Sequence, residues 1–369
     1  MNDLINPNII GLNPYVPGIP LEEIKLQYKL KKVIKLASNE NPFPLPANVI
    51  KAIKKEIGQL NRYPDSDSHE LKNSIGQYHG IDSKNIIVGS GSVEILKMII
   101  KTFLKPGETV LTSKKTFCMF KIATIEHAGI SGLVETDMDE NYHYDLDKMH
   151  QKLDSKTKII FIANPDNPTG TMISRAKILD FISKIPDDIF IVLDNAYQEY
   201  VTNQDNHLDG IDLAINRKNI IVLRTFSKIY ALAGLRTGYG ISNENTINYL
   251  NQVRLPFNVT RIAQKAARVS LENEDFKEKS AQWNQKNREF LLTRLQKLGF
   301  RVIPSETNFL LFFPNHDIQE MNSRLLREGV IIRPLQAFGI PEGFRVTIGS
   351  EEDIRYFSKK LEKIENDLS

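Results

Sequence analysis

Ser227, Lys228 and Arg236 lie in one run, TFSKIYALAGLRTG (residues 225–238), and offer a hydroxyl, an amine and a guanidinium. A hydroxyl and a guanidinium beside one lysine suit a phosphorylated carbonyl cofactor. The amine condenses with the aldehyde, and the other two groups hold the phosphate. Pyridoxal 5'-phosphate (PLP) is the common cofactor with both handles. The competing reading is a surface lysine on an ordinary strand-to-helix loop. Here, however, Lys228 follows an apolar run, NIIVLRTF, and the AGLRTGYG after it is too rich in glycine for a plain helix.

Other segments end apolar runs with residues of the same chemistry. In VLDNAY (192–197), Asp194 closes a strand-like run, where an unpaired carboxylate is costly. A pyridinium N–H would give it a partner and keep the ring an electron sink. A helix N-cap is the rival role for Asp194. Tyr197, three residues on, could reach the cofactor's 3'-oxygen. In ANPDNPTG (163–170), two prolines and a glycine make a rigid turn that can aim the Asn167 amide at the same oxygen; a plain turn asparagine is the alternative. GSGSVEILKMII leads from small residues straight into an apolar helix. Its first N–H groups, at Ser92 and Val93, could cradle a phosphate, or Ser92 could simply cap the helix. Its glycine spacing is not GxGxxG, which argues against a nicotinamide site. Phe117 in TFCMF could stack on a ring or fill core. Arg345 in FRVTIG falls on a predicted strand, an unusual place for a buried cation unless it binds an anion. Arg333 in IIRPL could do the same or be a solvated surface residue.

These residues need a frame. From about 45 to 255, short β-branched runs (IIVGS, TVLTS, KIIFIAN, IFIVLDN, NIIVLRT) alternate with helical patterns. That predicts an α/β layered domain with a largely parallel sheet and a ligand beyond the carboxyl ends of its strands. LEEIKLQYKL predicts a short helix and SNENPFP a loop. Residues 260–290 predict one long helix, with Ile262, Ala263, Ala266, Ala267 and Val269 at helical spacing. FRVIPSETNFLLFF, GVIIRPL and FRVTIGS predict a smaller α+β domain. The chain has 369 residues, 41% of them apolar and 25% charged, with a net charge of +3 spread along it. That is the profile of a soluble globular protein of about two domains, with no patch for nucleic acid. Cys118 is the only cysteine, no metal-ligand cluster is visible, and neither a signal peptide nor a membrane-length run is evident, so a cytoplasmic protein is expected.

The lysine run, NPxNPTG and the flanking NPYVPG and FRVTIG resemble the fold type I PLP-dependent aminotransferases from nearly end to end. Within that superfamily the chain most resembles the histidinol-phosphate aminotransferases. The resemblance implies an α/β fold in which a seven-stranded, mostly parallel sheet lies between helices, with a smaller α+β domain beside it. The expected division is an N-terminal arm with part of the small domain (1–40), a large PLP-binding domain (41–258) and a small C-terminal domain (259–369). It also implies that Lys228 binds the cofactor and moves a proton, that Phe117 stacks on the ring, and that Ser92, Val93, Ser227 and Arg236 hold the phosphate. Arg345 then takes the α-carboxylate, Arg333 a phosphate or distal carboxylate, and Tyr15 and Asn308 lie on the substrate side. Tyr63 in NRYPD resembles a tyrosine that reaches the partner subunit's cofactor, which implies a homodimer. The implied reaction moves an amino group from histidinol phosphate, a small-molecule donor, to 2-oxoglutarate. An aromatic amino-acid aminotransferase and a threonine-phosphate decarboxylase share most of these residues. Val93 stands where the family more often has Asp, Asn195 where it has Glu, and Lys114 and Lys115 where it often has proline.

Overall fold

The structure is a computed structural model, and it describes residues 4–368. A short N-terminal strand, β1 (Ile34–Lys35), precedes the main sheet. The sheet's strands are β2 (Ile86–Gly89), β3 (Thr109–Ser113), β4 (Leu133–Thr136), β5 (Thr157–Ala163), β6 (Phe190–Asp194), β7 (Ile220–Thr225) and β8 (Gly238–Ile241). They form one seven-stranded sheet in the order β2-β8-β7-β6-β5-β3-β4. The strands from β3 to β7 pair in parallel, and only β8 runs antiparallel to both neighbours.

The central strands are apolar along their whole length because both faces are covered. Alternation then sorts their side chains into two cores. Ile159, Phe161, Val192, Ile221 and Leu223 pack with the helix Ser92–Phe103. Ile160, Ile162, Ile191, Leu193, Ile220 and Val222 pack on the other face with the helix Arg175–Ser183. Parallel strands put their carboxyl ends on one edge, so the segments after β3, β5, β6 and β7 converge there.

Two strands were not among the runs singled out in the sequence. β4 is short, and β8 is GYGI, whose glycines conceal it. A Cβ on Gly240 would come within 3.0 Å of Ile221, and one on Gly238 within 2.6 Å of the Ser92 nitrogen. β8 is glycine-rich because its neighbours leave no room for side chains.

The long helix expected over 260–290 is instead two helices, Arg261–Ser270 and Glu274–Lys297, separated at 271–273. The Asn273 side chain donates to the Val269 carbonyl at 2.7 Å, and Glu274 and Asp275 open the next helix with favourable charge. The apolar side chains of Arg261–Ser270 lie in one cluster with Val49, Leu71 and Ile75 of the helices Ala47–Ile57 and His69–His79.

The second sheet comprises β9 (Arg301–Ile303), β10 (Phe309–Phe313), β12 (Arg333–Pro334) and β13 (Phe344–Thr347), in the order β12-β13-β10-β9. β11 (Val330–Ile331) pairs in parallel with β1, which ties the N-terminal segment to this part of the chain. Among the described residues, no helix is long and apolar enough to cross a membrane.

Candidate active site

Lys228 lies just past the end of β7. Its Nζ sits 5.5 Å from the centroid of the Tyr197 ring, so the segments after β6 and β7 meet here. Burial pushes the amine down to about 7; Arg345 and Arg236 add to that push, while Glu40 and Asp194 oppose it. An amine held near neutrality is a ready nucleophile for an aldehyde.

The helix Ser92–Phe103 begins beside Arg236. Its N-cap is Gly91, at φ +78°, and no side chain caps it, which sets aside the capping role for Ser92. A Cβ on Gly91 would lie 2.8 Å from the Arg236 guanidinium. Arg236 takes a left-handed conformation and donates to the Ala233 carbonyl at 3.0 Å and to Ser227 Oγ at 3.4 Å. Open helix N–H groups, a guanidinium and a hydroxyl therefore converge, as a phosphate requires. Ser92 and Val93 are partly buried at that helix start, and a backbone donor is indifferent to the valine side chain.

Asp194 ends β6 and is buried. Its Oδ1 accepts the Ala196 N–H at 3.1 Å. Burial raises the carboxyl to about 6; the nearby Asp166 adds to the rise, and Ala196 and Lys228 oppose it. A ring N–H cation would hold Asp194 in its charged form. Tyr197 is buried with its ring edge-on to Phe309, and its hydroxyl accepts from the Asn39 amide at 3.0 Å. Burial pushes that phenol up to about 12. Asn195 turns away from the site and donates to the carbonyls of Leu208 and Asp209.

Arg345 on β13 and Arg333 on β12 are direct cross-strand partners, and both are buried. Neither is the solvated surface residue that the sequence left open. Arg345 donates to Asn167 Oδ1 at 2.5 Å and to the Ala37 carbonyl at 2.9 Å, and its Nε has no partner. Arg333 donates to the Val16 carbonyl and lies over the rings of Tyr15 and Phe338. Among the described residues, no carboxylate pairs with either guanidinium. Phe117, partly buried, stands edge-on to Phe120. Phe117, Tyr15, Arg333 and Phe338 line a cleft of about 1240 Å³; Lys228 and Asp194 are not part of its wall. Lys114 pairs with Asp137, and Lys115 lies over the Tyr142 ring, so both lysines are accommodated without a proline.

Two candidates are placed differently. Asn308 is buried, and one amide N–H donates to the Asn39 carbonyl at 3.1 Å. Tyr63 is 77% exposed and stacks on Phe257 at the surface of the chain. The sequence reading missed Asn39 and a buried carboxylate, Asp166. The signal for Asp166 stood in plain sight, as an ionisable residue between the two prolines of NPDNPTG. The groups that converge here suit PLP: an uncapped helix start facing a guanidinium, a buried carboxylate needing a cation, and a depressed lysine.

The family model for aminotransferase class I and II matches residues 31–361. The chain is 40% identical over 347 residues to a histidinol-phosphate aminotransferase from Anaeromyxobacter sp., covering 94% of each chain. It is 37% identical to one from Moorella thermoacetica, covering 96% of this chain and 92% of that one. The crystal structure of the histidinol-phosphate aminotransferase from Sinorhizobium meliloti, in complex with pyridoxal-5'-phosphate, superposes with a TM-score of 0.89 at 26% identity, covering 99% of this chain and 98% of that one. With a family match over most of its length and relatives this similar, the chain belongs to the class I and II aminotransferases and is a PLP-dependent enzyme.

Proposed function

We propose that the enzyme moves the amino group of L-histidinol phosphate to 2-oxoglutarate, as a cytoplasmic homodimer. The observation that carries this reading is the buried pair Arg333 and Arg345, cross-strand neighbours with no carboxylate between them. A site that must take glutamate, with two carboxylates, and histidinol phosphate, with a phosphate and no carboxylate, needs guanidinium forks that serve either anion. The names of the relatives support the same donor.

When bound, PLP supplies an aldehyde for an amine and a protonated ring that withdraws electrons. Lys228 would anchor it through its amine and would supply the group that moves a proton to and from the substrate carbon. Asp194 keeps the ring nitrogen charged, and Tyr197 and Asn167 direct polar groups at the ring oxygen. The N–H groups of Ser92 and Val93, with Ser227 and Arg236, would hold the phosphate, and Phe117 would stack on the ring. Arg345 takes the carboxylate of glutamate. Arg333 takes its distal carboxylate or the donor phosphate, with Tyr15 and Asn308 beside them. Tyr63 reaches the partner subunit's phosphate. Two substrates in turn through one site predicts ping-pong kinetics.

The aromatic wall of Tyr15, Phe117 and Phe338 also suits a neutral aromatic donor such as phenylalanine. A donor comparison on wild type and Arg333→Ala decides between them. Losing one charge-assisted contact should cost the phosphorylated donor about 1.5–3 kcal/mol, or roughly ten- to a hundredfold in kcat/KM, and leave phenylalanine little changed. A wild-type preference for phenylalanine with no selective loss would place the enzyme among aromatic aminotransferases.

A further inference from the structure

Asp166 is fully buried, yet among the described residues no lysine or arginine bonds to it. Its partners are hydroxyls and one N–H. Thr116 Oγ1 donates to Oδ1 at 2.5 Å. Thr169 Oγ1 donates to Oδ2 at 2.8 Å, and the Thr169 N–H reaches the same oxygen at 3.3 Å. The Tyr144 hydroxyl lies 2.5 Å from Thr116 Oγ1, reaches Asp166 Oδ1 at 3.4 Å and accepts the Ala163 N–H at 3.2 Å. The threonines and Tyr144 are themselves buried. Thr116 is the residue before Phe117, and Asp166 is the residue before Asn167. One carboxylate therefore joins the loop after β3 to the turn after β5 by side-chain bonds between residues 50 apart in sequence.

We propose that Asp166 is a positioning residue: by clasping Thr116 and Thr169 it fixes the distance between Phe117 and Asn167, and so sets the slot for the cofactor ring. The inference rests on the PLP site described above. A side chain with two oxygens suits this task because one takes the Thr116 hydroxyl from the other loop while the second takes Thr169. A neutral turn residue would form the local turn equally well, since that turn is closed by backbone bonds from Asp166 N–H to the Thr171 carbonyl and from Gly170 N–H to the Asp166 carbonyl. The Asp166 side chain also bonds Thr169 within the turn, and its bond to Thr116 is the one that joins the two loops. Its charge also reaches Asp194, so the clasp is felt at the ring nitrogen as well as at the ring face.

The test measures PLP dissociation constants and the induced circular dichroism of bound PLP. It uses wild type, Thr116→Val, Asp166→Ala, Asp166→Asn and the double variant Thr116→Val/Asp166→Ala. Thr116→Val and Asp166→Ala should each weaken PLP binding by about tenfold or more and alter the dichroic band. Asp166→Asn keeps an oxygen for Thr116 and should stay within about threefold of wild type. The double variant should be no worse than Asp166→Ala alone, because Asp166→Ala already removes the Thr116 bond that Thr116→Val removes. Wild-type affinity and an unchanged band in Thr116→Val and Asp166→Ala would overturn the clasp, as would losses that multiply in the double variant. If Asp166→Ala does not fold, Thr116→Val against Asp166→Asn decides: loss in the first and rescue in the second supports the clasp, and equal behaviour overturns it. A wild-type protein that binds no PLP would overturn the cofactor reading itself, an outcome distinct from variants that bind as wild type does.

Discussion

At the scale of single residues, the site joins groups whose environments push their protonation in useful directions. Burial brings the Lys228 amine down to about 7 and lifts the Asp194 carboxyl to about 6. Only the neutral amine attacks an aldehyde, so PLP capture by the apoprotein should speed up as pH rises through about 7 and then level off. An amine at the ordinary 10.5 would keep accelerating to pH 10, and stopped-flow absorbance distinguishes the two profiles. Borohydride should fix the cofactor on Lys228 and on no other lysine, as read by peptide mapping, and Lys228→Ala should yield no adduct. Asp194→Asn should bind PLP but turn over slowly. The neutral amide cannot hold the ring nitrogen's charge, and a loss of about 3 kcal/mol in the transition state is roughly a hundredfold in kcat. Near-native turnover at saturating PLP would reduce Asp194 to a cap.

At the scale of elements, the proposed phosphate cradle depends on how closely β8 approaches the start of the helix Ser92–Phe103. A Cβ on Gly238 would stand 2.6 Å from the Ser92 nitrogen and 2.9 Å from the Arg224 carbonyl. Both are backbone atoms, so no flexible side chain can yield. Gly238→Ala should therefore shift β8 or the helix start at a cost of about 1–3 kcal/mol, by the usual penalty for overpacking. The expected result is a lower melting temperature together with weaker PLP binding. A variant that keeps wild-type affinity would show that the helix start does not hold the phosphate. The same element explains why the antiparallel strand was hard to foresee. GYGI carries no β-branched pattern because its surroundings, not its own propensity, place it in the sheet.

At the scale of the whole molecule, the exposed apolar side chains Ile57, Leu60, Tyr63, Leu255 and Phe257 lie in two segments that the Tyr63–Phe257 stack brings together. Rings stacked in water suggest a surface that a second subunit covers. In the proposed homodimer, Lys228→Ala and Tyr63→Ala subunits are each inactive among themselves when Tyr63 serves the partner's site. Mixing them should restore partial activity, because one of the two sites in a mixed dimer carries neither lesion. No recovery on mixing, or a fully active monomer at high dilution, would count against shared sites.

The sequence by itself determined the layered α/β frame and most of the chemistry. A polar residue at the end of an apolar strand is costly unless it has a purpose, and that cost is visible in residue order, as at Asp194 and Lys228. The alternating strand and helix signals fixed the edge on which those residues meet. Tertiary structure alone decided the rest. The pairing of Arg333 with Arg345 needed the register of β12 on β13. The Asp166 clasp needed Thr116, 50 residues earlier, and Tyr144, 22 residues earlier, to arrive in one buried place. Such partners are chosen by how distant strands lie side by side, and local residue order carries no record of that.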